Sequence, residues 1–386
     1  MFGYLKRSLA VAMATLLLAA CQVIPGGGSI DTAPPPGSQN AGLPDAQALP
    51  DDEARHRVAL LVPLSGSNGE VGQSIANATT MALLDTGADD LRITTYDTAG
   101  GAGAAARRAM ADGNRLILGP LLRDNVGAVL AQARPAQVPL ITFSNDLSAA
   151  RPDVFVMGHA PEQSVERTAN FAIDQGARNF AALVPNGEYG ERVLSALRLT
   201  LETRNARLLA VERFDRGNRS IISAAGRLRE RGGYDTVLIG DGARLAIMAA
   251  SELKDAGQAL PSLIGTELWA GEIDLTQDPE MRGAWFSAVP DERYRQFAQS
   301  YESRFGTQPY RISTLGYDAV LLSLRIARDW QPGTPFPTAR LTDEGGFIGL
   351  DGAFRFLGTG VGERAMEVRE VDDGTFSVAD PAPARF

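Results

Sequence analysis

The sequence is poor in the side chains on which metal sites and covalent catalysis depend. It contains one cysteine, Cys21, so neither an internal disulfide nor a thiolate zinc site can form. Its two histidines, His56 and His159, lie far apart in the chain, which argues against a histidine-based metal site. The only lysines are Lys6 and Lys254, and neither lies in a phosphate-binding P-loop. We therefore expect no metal and no cofactor.

The motifs that suggest an enzyme are all incomplete. Gly240–Gly242 and Gly358–Gly362 resemble dinucleotide-binding loops, but neither completes G-x-G-x-x-G followed by a helix and a ribose-binding acid. Ser251–Lys254 has the S-x-x-K spacing of acyl-enzymes, whose chemistry also requires a K-T-G strand. With lysine only at positions 6 and 254, that strand is absent. We therefore predict that the protein is not an enzyme.

Basic residues are fewer than acidic ones. The chain has 37 lysine and arginine residues and 46 acidic residues, so its net charge is −9. Binding to nucleic acid draws on clustered positive charge, so nucleic acid is not an expected partner. Apolar residues, in contrast, make up 44% of the 386 positions. That is enough for one large hydrophobic core or two smaller ones.

The long apolar run of the chain is Leu9–Ala20, and it follows the basic pair Lys6-Arg7. As a helix it would cover about 18 Å, short of the roughly 30 Å hydrocarbon core of a bilayer, so residues 1–20 are predicted to be a signal peptide. The letters LAAC that end at Cys21 resemble the bacterial lipoprotein box. The resemblance implies a lipid on Cys21 and, with Gln22 after it, anchoring at the periplasmic face of the outer membrane. The alternative is a free cysteine behind an ordinary signal peptide.

Residues 21–54 are rich in proline, glycine, serine, alanine and aspartate and show no helical or strand period. This composition predicts a disordered tether. The folded body is expected at 55–375.

The body alternates short apolar runs with helical periods. Most runs do not alternate in polarity, as expected of strands buried on both faces of a parallel sheet. The runs are 58–62, 91–96, 116–118, 138–142, 180–184, 208–211, 236–239 and 262–264. Between them, apolar residues recur at helical spacing, as at Val71, Ile75, Ala78 and Ala82. The pattern predicts an α/β fold of two Rossmann-like lobes with parallel sheets, joined by hinge strands.

Several segments, in this order and spacing, resemble the type I periplasmic binding protein fold. They are Val58–Gly66, Tyr96-Asp97, Leu118–Pro120, Pro139–Thr142, Glu188–Gly190, Phe297–Phe305, Leu315–Ala319 and Gly346–Phe356. The resemblance implies that the chain crosses between the lobes three times. Lobe 1 is then expected at about 55–157 and 287–345, and lobe 2 at about 158–286 and 346–371.

Two groups within this fold compete. Leucine-type binding proteins usually have small hydroxyl residues after the Gly-Pro that follows a first-lobe strand, where they hold an amino acid. This chain instead has Gly119–Val126 (GPLLRDNV), which resembles the penicillin-binding protein activator family, as does Thr142–Asp146. That resemblance implies a lipoprotein that activates a class A penicillin-binding protein, a peptidoglycan synthase, by direct contact. The alternative is a solute-binding protein that delivers an amino acid or similar metabolite to an ABC permease.

Ligands in open α/β sheets bind at the carboxyl ends of the strands, so the loops there supply the candidate site. In the first lobe, Ser65 and Gly66 could receive an anion at a helix start, or they form an ordinary turn with a serine cap. Ser144, Asn145 and Asp146 offer both donors and acceptors. Arg123 could bind a carboxylate, or it decorates a solvated first turn.

Three residues of the second lobe match cleft-facing loops of the family: Tyr189, Asp241 and Glu267. By this resemblance, Glu267 could pair with the ammonium group of a ligand. It could equally be a solvated loop acid. The expected partners are the synthase and the outer membrane, and a small-molecule ligand, if one is bound, is expected between the lobes.

Overall fold

The computed structural model describes residues 54–254 and 261–386. Its first sheet has the strand order β2-β1-β3-β4-β5, and every pairing in it is parallel. The strands are β1 (His56–Val62), β2 (Leu91–Asp97), β3 (Leu116–Leu118), β4 (Leu140–Thr142) and β5 (Val154–Val156). The helices between them are α1 (Gly69–Thr86), α2 (Ala102–Ala111) and α3 (Arg123–Ala133).

The chain then builds a second parallel arrangement. Its strands are β6 (Asn179–Pro185), β7 (Arg207–Phe214), β8 (Thr236–Ile239), β9 (Ser262–Ile264) and β10 (Trp285–Ala288). Its helices are α4 (Pro161–Asp174), α5 (Glu188–Thr203), α6 (Ser220–Arg231), α7 (Ala243–Leu253) and the short α8 (Asp274–Gln277). The pairings of β6 with β7 and β8, of β8 with β9 and of β9 with β10 are all parallel.

After β10 the chain returns to the first lobe and later leaves it again. The returning elements are α9 (Glu292–Phe305), α10 (Thr314–Ala327), β11 (Phe347–Gly349), β12 (Gly352–Phe356) and β13 (Gly362–Arg364). The last strands, β14 (Glu367–Asp372) and β15 (Thr375–Asp380), join the second sheet antiparallel, in the order β15-β14-β10-β9-β8-β6-β7. The predicted type I periplasmic binding protein architecture is confirmed.

The strands predicted from apolar runs are all present, and those in the middle of each sheet are buried on both faces. Residues 58–62 and 116–118 are completely buried, for example. The predicted helical stripe of α1 also faces the interior, since Ile75, Ala78 and Ala82 are fully buried. Helix α10 lies against α1 and contributes Leu315 and Ala319 to the first-lobe core.

One predicted boundary differs from the structure. Residues 346–364 were expected in the second lobe, but Phe347, Phe354 and Phe356 belong to the first-lobe core together with Leu60 and Phe155. The third passage between the lobes therefore lies between β13 and β14, about twenty residues later than expected. The reason is that β11–β13 form their own three-stranded antiparallel sheet, which packs its aromatic side chains against the first lobe.

The turn from β1 into α1 is close-packed. An added Cβ at Gly72 would lie 1.7 Å from the carbonyl oxygen of Pro63, so only glycine fits there. This contact holds the first turn of α1 against the end of β1 and positions the loop at 64–68, where the candidate site begins.

Candidate functional site

The loop that follows β1 is exposed to solvent. Ser65 and Gly66 are exposed, and the Ser65 side chain does not cap the turn that follows it. The loop is instead held by Asp97, whose Oδ1 accepts hydrogen bonds from the backbone N–H groups of Leu64 (2.9 Å) and Ala99 (2.8 Å). The expected serine cap is therefore absent here.

The loop after β4 satisfies its own polar groups. The Asp146 N–H donates to Ser144 Oγ (3.1 Å), and the Ser148 N–H donates to Asp146 Oδ1 (2.8 Å). Arg123 Nε lies 2.8 Å from the other carboxylate oxygen of Asp146. Burial opposes ionisation of Asp146, but the bonds from Ser148 and the charges of Arg192 and Arg123 hold its pKa below the usual range. Arg123 thus binds a carboxylate of its own chain.

Arg192 joins the lobes across the opening, and no sequence pattern indicated it. Arg192 of α5 donates to both carboxylate oxygens of Glu162 in the first turn of α4, at 2.6 and 2.8 Å. Its Nη2 also donates to the main-chain carbonyl of Asn145 (2.6 Å). Asn145 belongs to the first lobe, so this contact closes the cleft at that point.

The candidates in the second lobe are brought together. The Tyr189 hydroxyl lies 2.9 Å from Thr266 Oγ1 and donates to Glu267 Oε1 at 3.1 Å. Arg216 covers the Tyr189 ring at 4.8 Å and donates from Nε to Asp241 Oδ2 at 2.7 Å. Burial and the neighbouring Glu267 carboxylate raise the pKa of Tyr189. Asp241 and Tyr189 are therefore already engaged by side chains of the same lobe.

Glu267 is a candidate with unused binding capacity and no arginine paired to it among the described residues. Its Oε2 is buried and has no hydrogen-bond partner within the ranges 54–254 and 261–386. Burial raises the pKa of Glu267 to about 7. Such a carboxyl group can hold a proton or accept a hydrogen bond from a ligand. The alternative that Glu267 is a solvated loop acid does not fit its buried carboxylate oxygen.

The elevated pKa predicts a pH effect on stability. Glutamate titrates near 4.5 in the unfolded chain and near 7 in the fold, so the folded protein binds more protons between these values. Stability therefore falls as the pH rises through this window, by about 3 kcal/mol at about 1.4 kcal/mol per pKa unit. Glu267→Gln should remove this fall and raise the free energy of unfolding at pH 8, as measured by urea unfolding. Glu272→Gln, at an exposed position in the same region, is the control. An unchanged pH dependence in Glu267→Gln would contradict the assignment.

A cluster of buried charges, also missed by the sequence reasoning, lies where the chain passes between the lobes. Asp351 is fully buried and contacts His159 Nε2 (2.8 Å), Arg311 Nη1 (2.6 Å) and the Thr314 hydroxyl (2.8 Å). Arg364 donates to the Met157 carbonyl from the other side (2.7 Å). Burial favours the neutral acid, but the charge of Arg311 and the hydrogen bond with His159 hold the pKa of Asp351 well below its usual range. The cluster ties together the first and third passages.

The described part of the chain offers no group of three His, Cys, Asp or Glu side chains placed to hold a metal ion. Among the same residues, no helix is long and apolar enough to span a membrane. Cys21, the signal peptide and the tether lie outside the described residues, so the lipid anchor stays a prediction.

Comparison with known proteins gives a family match over most of the chain. The periplasmic binding protein family matches residues 56–375. An uncharacterized protein from Rickettsia prowazekii is 28% identical over 169 residues, which is 43% of this chain and 45% of that protein. The penicillin-binding protein activator LpoA of Haemophilus influenzae is 26% identical over 69% of this chain and 47% of its own length. LpoA of Mannheimia succiniciproducens is 32% identical over 36% of this chain and 25% of its own length.

The chain thus spans less than half the length of these relatives. Among solved structures, a putative branched-chain amino acid ABC transporter protein from Rhodospirillum rubrum superimposes with a TM-score of 0.74. It is 21% identical, and the match covers 84% of this chain and 99% of that chain. Full-length LpoA of H. influenzae gives a TM-score of 0.64 at 21% identity, over 84% and 59% of the two chains. The predicted resemblance to the activator family is confirmed.

Proposed function

Because this chain belongs to the periplasmic binding protein family and is similar in sequence to LpoA activators, we propose that it is a non-catalytic activator of a class A penicillin-binding protein. It would act by direct contact with that peptidoglycan synthase at the periplasmic face of the outer membrane. The lipid on Cys21 and the segment 21–54 would attach and extend it. The observation that carries the proposal is the similarity to activators from several organisms.

The chemistry of the cleft supports the same conclusion. A transport receptor needs polar groups that are free to bind its solute and to release it. Here Asp146 is taken by Arg123, Asp241 by Arg216, and Tyr189 by Glu267. Leu121 and Leu122 also stand where amino-acid receptors usually have small hydroxyl residues. These polar groups of the cleft are therefore already satisfied by side chains of the same lobe, which fits a scaffold better than a transport receptor.

One observation favours the alternative, a solute-binding protein of an ABC transporter. Glu267 Oε2 is buried without a hydrogen-bond partner in the described residues, and an ammonium group would satisfy it. The fold is also shared with receptors for branched-chain amino acids. The two functions make opposite predictions about ligand binding.

We expect no change in melting temperature with any of the twenty amino acids at millimolar concentration. A ligand specific for the folded state would add about 2.7 kcal/mol at a hundredfold excess over its Kd, which thermal unfolding detects easily. Glu267→Ala is the matched variant. A reproducible shift with one amino acid that disappears in Glu267→Ala would move the protein to the solute-binding class.

The partner itself can be tested by co-purification. The full chain, captured from solubilised envelope membranes, should retain a class A penicillin-binding protein detectable with a labelled β-lactam. Recovery of an ABC permease in its place, together with an inner-membrane location on fractionation, would contradict the proposal.

A further inference from the structure

A groove lies between helices α4 and α5 of the second lobe. It measures about 530 Å³ and is lined by one ridge of side chains from each helix. The α4 ridge consists of Glu162, Glu166 and Asn170, and the α5 ridge includes Ser195 and Leu199. Residues four apart lie on the same face of a helix, so both ridges follow from the spacing of these residues in the sequence.

Both ends of the groove are held by hydrogen bonds from α5 to α4. At one end, Arg192 donates to both carboxylate oxygens of Glu162 (2.6 and 2.8 Å). At the other end, Arg204, which directly follows α5, donates to Asn170 Oδ1 (2.7 Å) and pairs with Asp174. The two helices are therefore fixed side by side, and a partner meets a preformed surface. Binding to such a surface costs less entropy than binding to a mobile one.

The middle of the groove is apolar and open to solvent. Leu199 of the α5 ridge is 67% exposed although its side chain is large and apolar. Ala196 and Thr200 line the groove beside it, and the Thr200 hydroxyl is already used, since it donates to the Ala196 carbonyl (2.9 Å). A partner that covers Leu199 removes apolar surface from water, which favours binding. The groove therefore offers an apolar contact between its two fixed ends.

The uncompensated charge of the groove is negative. Arg192 and Arg204 line it, and both are paired with acids of α4. The lining residue Glu191 is paired with Arg213 (2.9 Å). Glu166, in contrast, is exposed, and its side chain forms no hydrogen bond or ion pair with residues 54–254 or 261–386. A positively charged side chain of a partner would pair with this carboxylate.

We propose that this groove is the docking site for an amphipathic helix of the synthase, with an apolar side chain against Leu199 and an arginine or lysine paired with Glu166. The inference rests on the proposed function and names the surface by which the synthase is contacted. The occupant is a helix because the middle turns of α4 and α5 use their backbone N–H and C=O groups internally, so an extended strand finds none to pair with there. A helix satisfies its own backbone and meets the groove with side chains alone.

The test is the affinity of the full chain for a purified class A synthase, measured by biolayer interferometry. We expect binding to be at least tenfold weaker in Leu199→Arg and in Glu166→Lys. The first control is Leu84→Arg, at a leucine of similar exposure (70%) on α1 of the first lobe. The second control is Glu202→Lys, at an exposed glutamate of α5 that does not line the groove. Both controls should bind as the wild type does, and equal melting temperatures show that all four variants are folded.

A second arm identifies the occupant. A photoreactive benzoylphenylalanine in place of Ser195 should cross-link to a helical segment of the purified synthase that carries leucine and arginine or lysine. The same group in place of Ser251, an exposed residue of α7, should not. Cross-linking to an acidic or extended segment, or equal affinity of the groove variants and their controls, would overturn the inference and leave the proposed function standing. Failure of the wild-type chain to bind any class A synthase of the source organism would overturn both.

Discussion

Replacing Asp351 with alanine should lower the free energy of unfolding by about 3–5 kcal/mol, the usual result of breaking a buried ion pair from one side. Asp351 is fully buried and is the carboxylate shared by Arg311, His159 and Thr314. Its loss leaves the guanidinium of Arg311 and that of the buried Arg364 without this compensation. Urea or thermal unfolding of the full chain measures the change.

The matched control for this prediction is Asp373→Ala. Asp373 also pairs with an arginine, Arg282, at 2.7 Å, but its side chain is 78% exposed. Exposed pairs contribute about 1 kcal/mol or less, so this variant should unfold close to the wild type. Similar small losses in both variants would contradict the view that the buried cluster holds the hinge together.

The second large effect is expected at Gly72. An alanine there would place its Cβ 1.7 Å from the Pro63 carbonyl oxygen and 2.8 Å from the Pro63 carbonyl carbon, so α1 must move away from β1. Overpacking of this kind typically costs up to about 3 kcal/mol, and backbone atoms cannot turn aside as a side chain does. We expect Gly72→Ala to lose about 3 kcal/mol of stability in chemical denaturation.

Gly127 supplies the matched control in another helix of the same lobe. It lies inside α3, is exposed, and an added Cβ would meet no atom within 4 Å. Because alanine favours a helix over glycine by roughly 0.5–1 kcal/mol, Gly127→Ala should be neutral or stabilising. If Gly72→Ala were equally well tolerated, the tight turn could not be what positions the loop at 64–68.

The sequence was informative where a pattern is local. Strands such as β1 and β8 are continuous apolar runs buried on both faces, and such runs can be recognised without knowing their partners. Strand β14 escaped recognition because it carries the buried charges Glu367 and Arg369. Arg369 pairs with Asp291, and that compensation lies 78 residues away in the chain. The third passage was misplaced because β11–β13 form a separate sheet whose aromatic side chains pack on the first lobe.

The candidate site was also only partly predictable from the sequence. The rule that ligands bind at the carboxyl ends of parallel strands correctly grouped Tyr189 with Glu267, whose side chains are hydrogen-bonded. It could not show that three arginines of the chain already form ion pairs with the carboxylates near the cleft. The pairs are Arg192 with Glu162, Arg216 with Asp241 and Arg123 with Asp146. Such pairs depend on side chains 23 to 30 residues apart meeting in space, which no spacing rule encodes.

The central claim is that the chain stimulates a class A penicillin-binding protein by contact. The most direct measurement is the rate at which the purified synthase polymerises its lipid-linked substrate, with and without the full chain in equimolar amount. We predict a severalfold increase that saturates with concentration and is unaffected by added amino acids. An unchanged rate at saturating concentrations of folded chain, with each class A synthase of the source organism, would contradict the account.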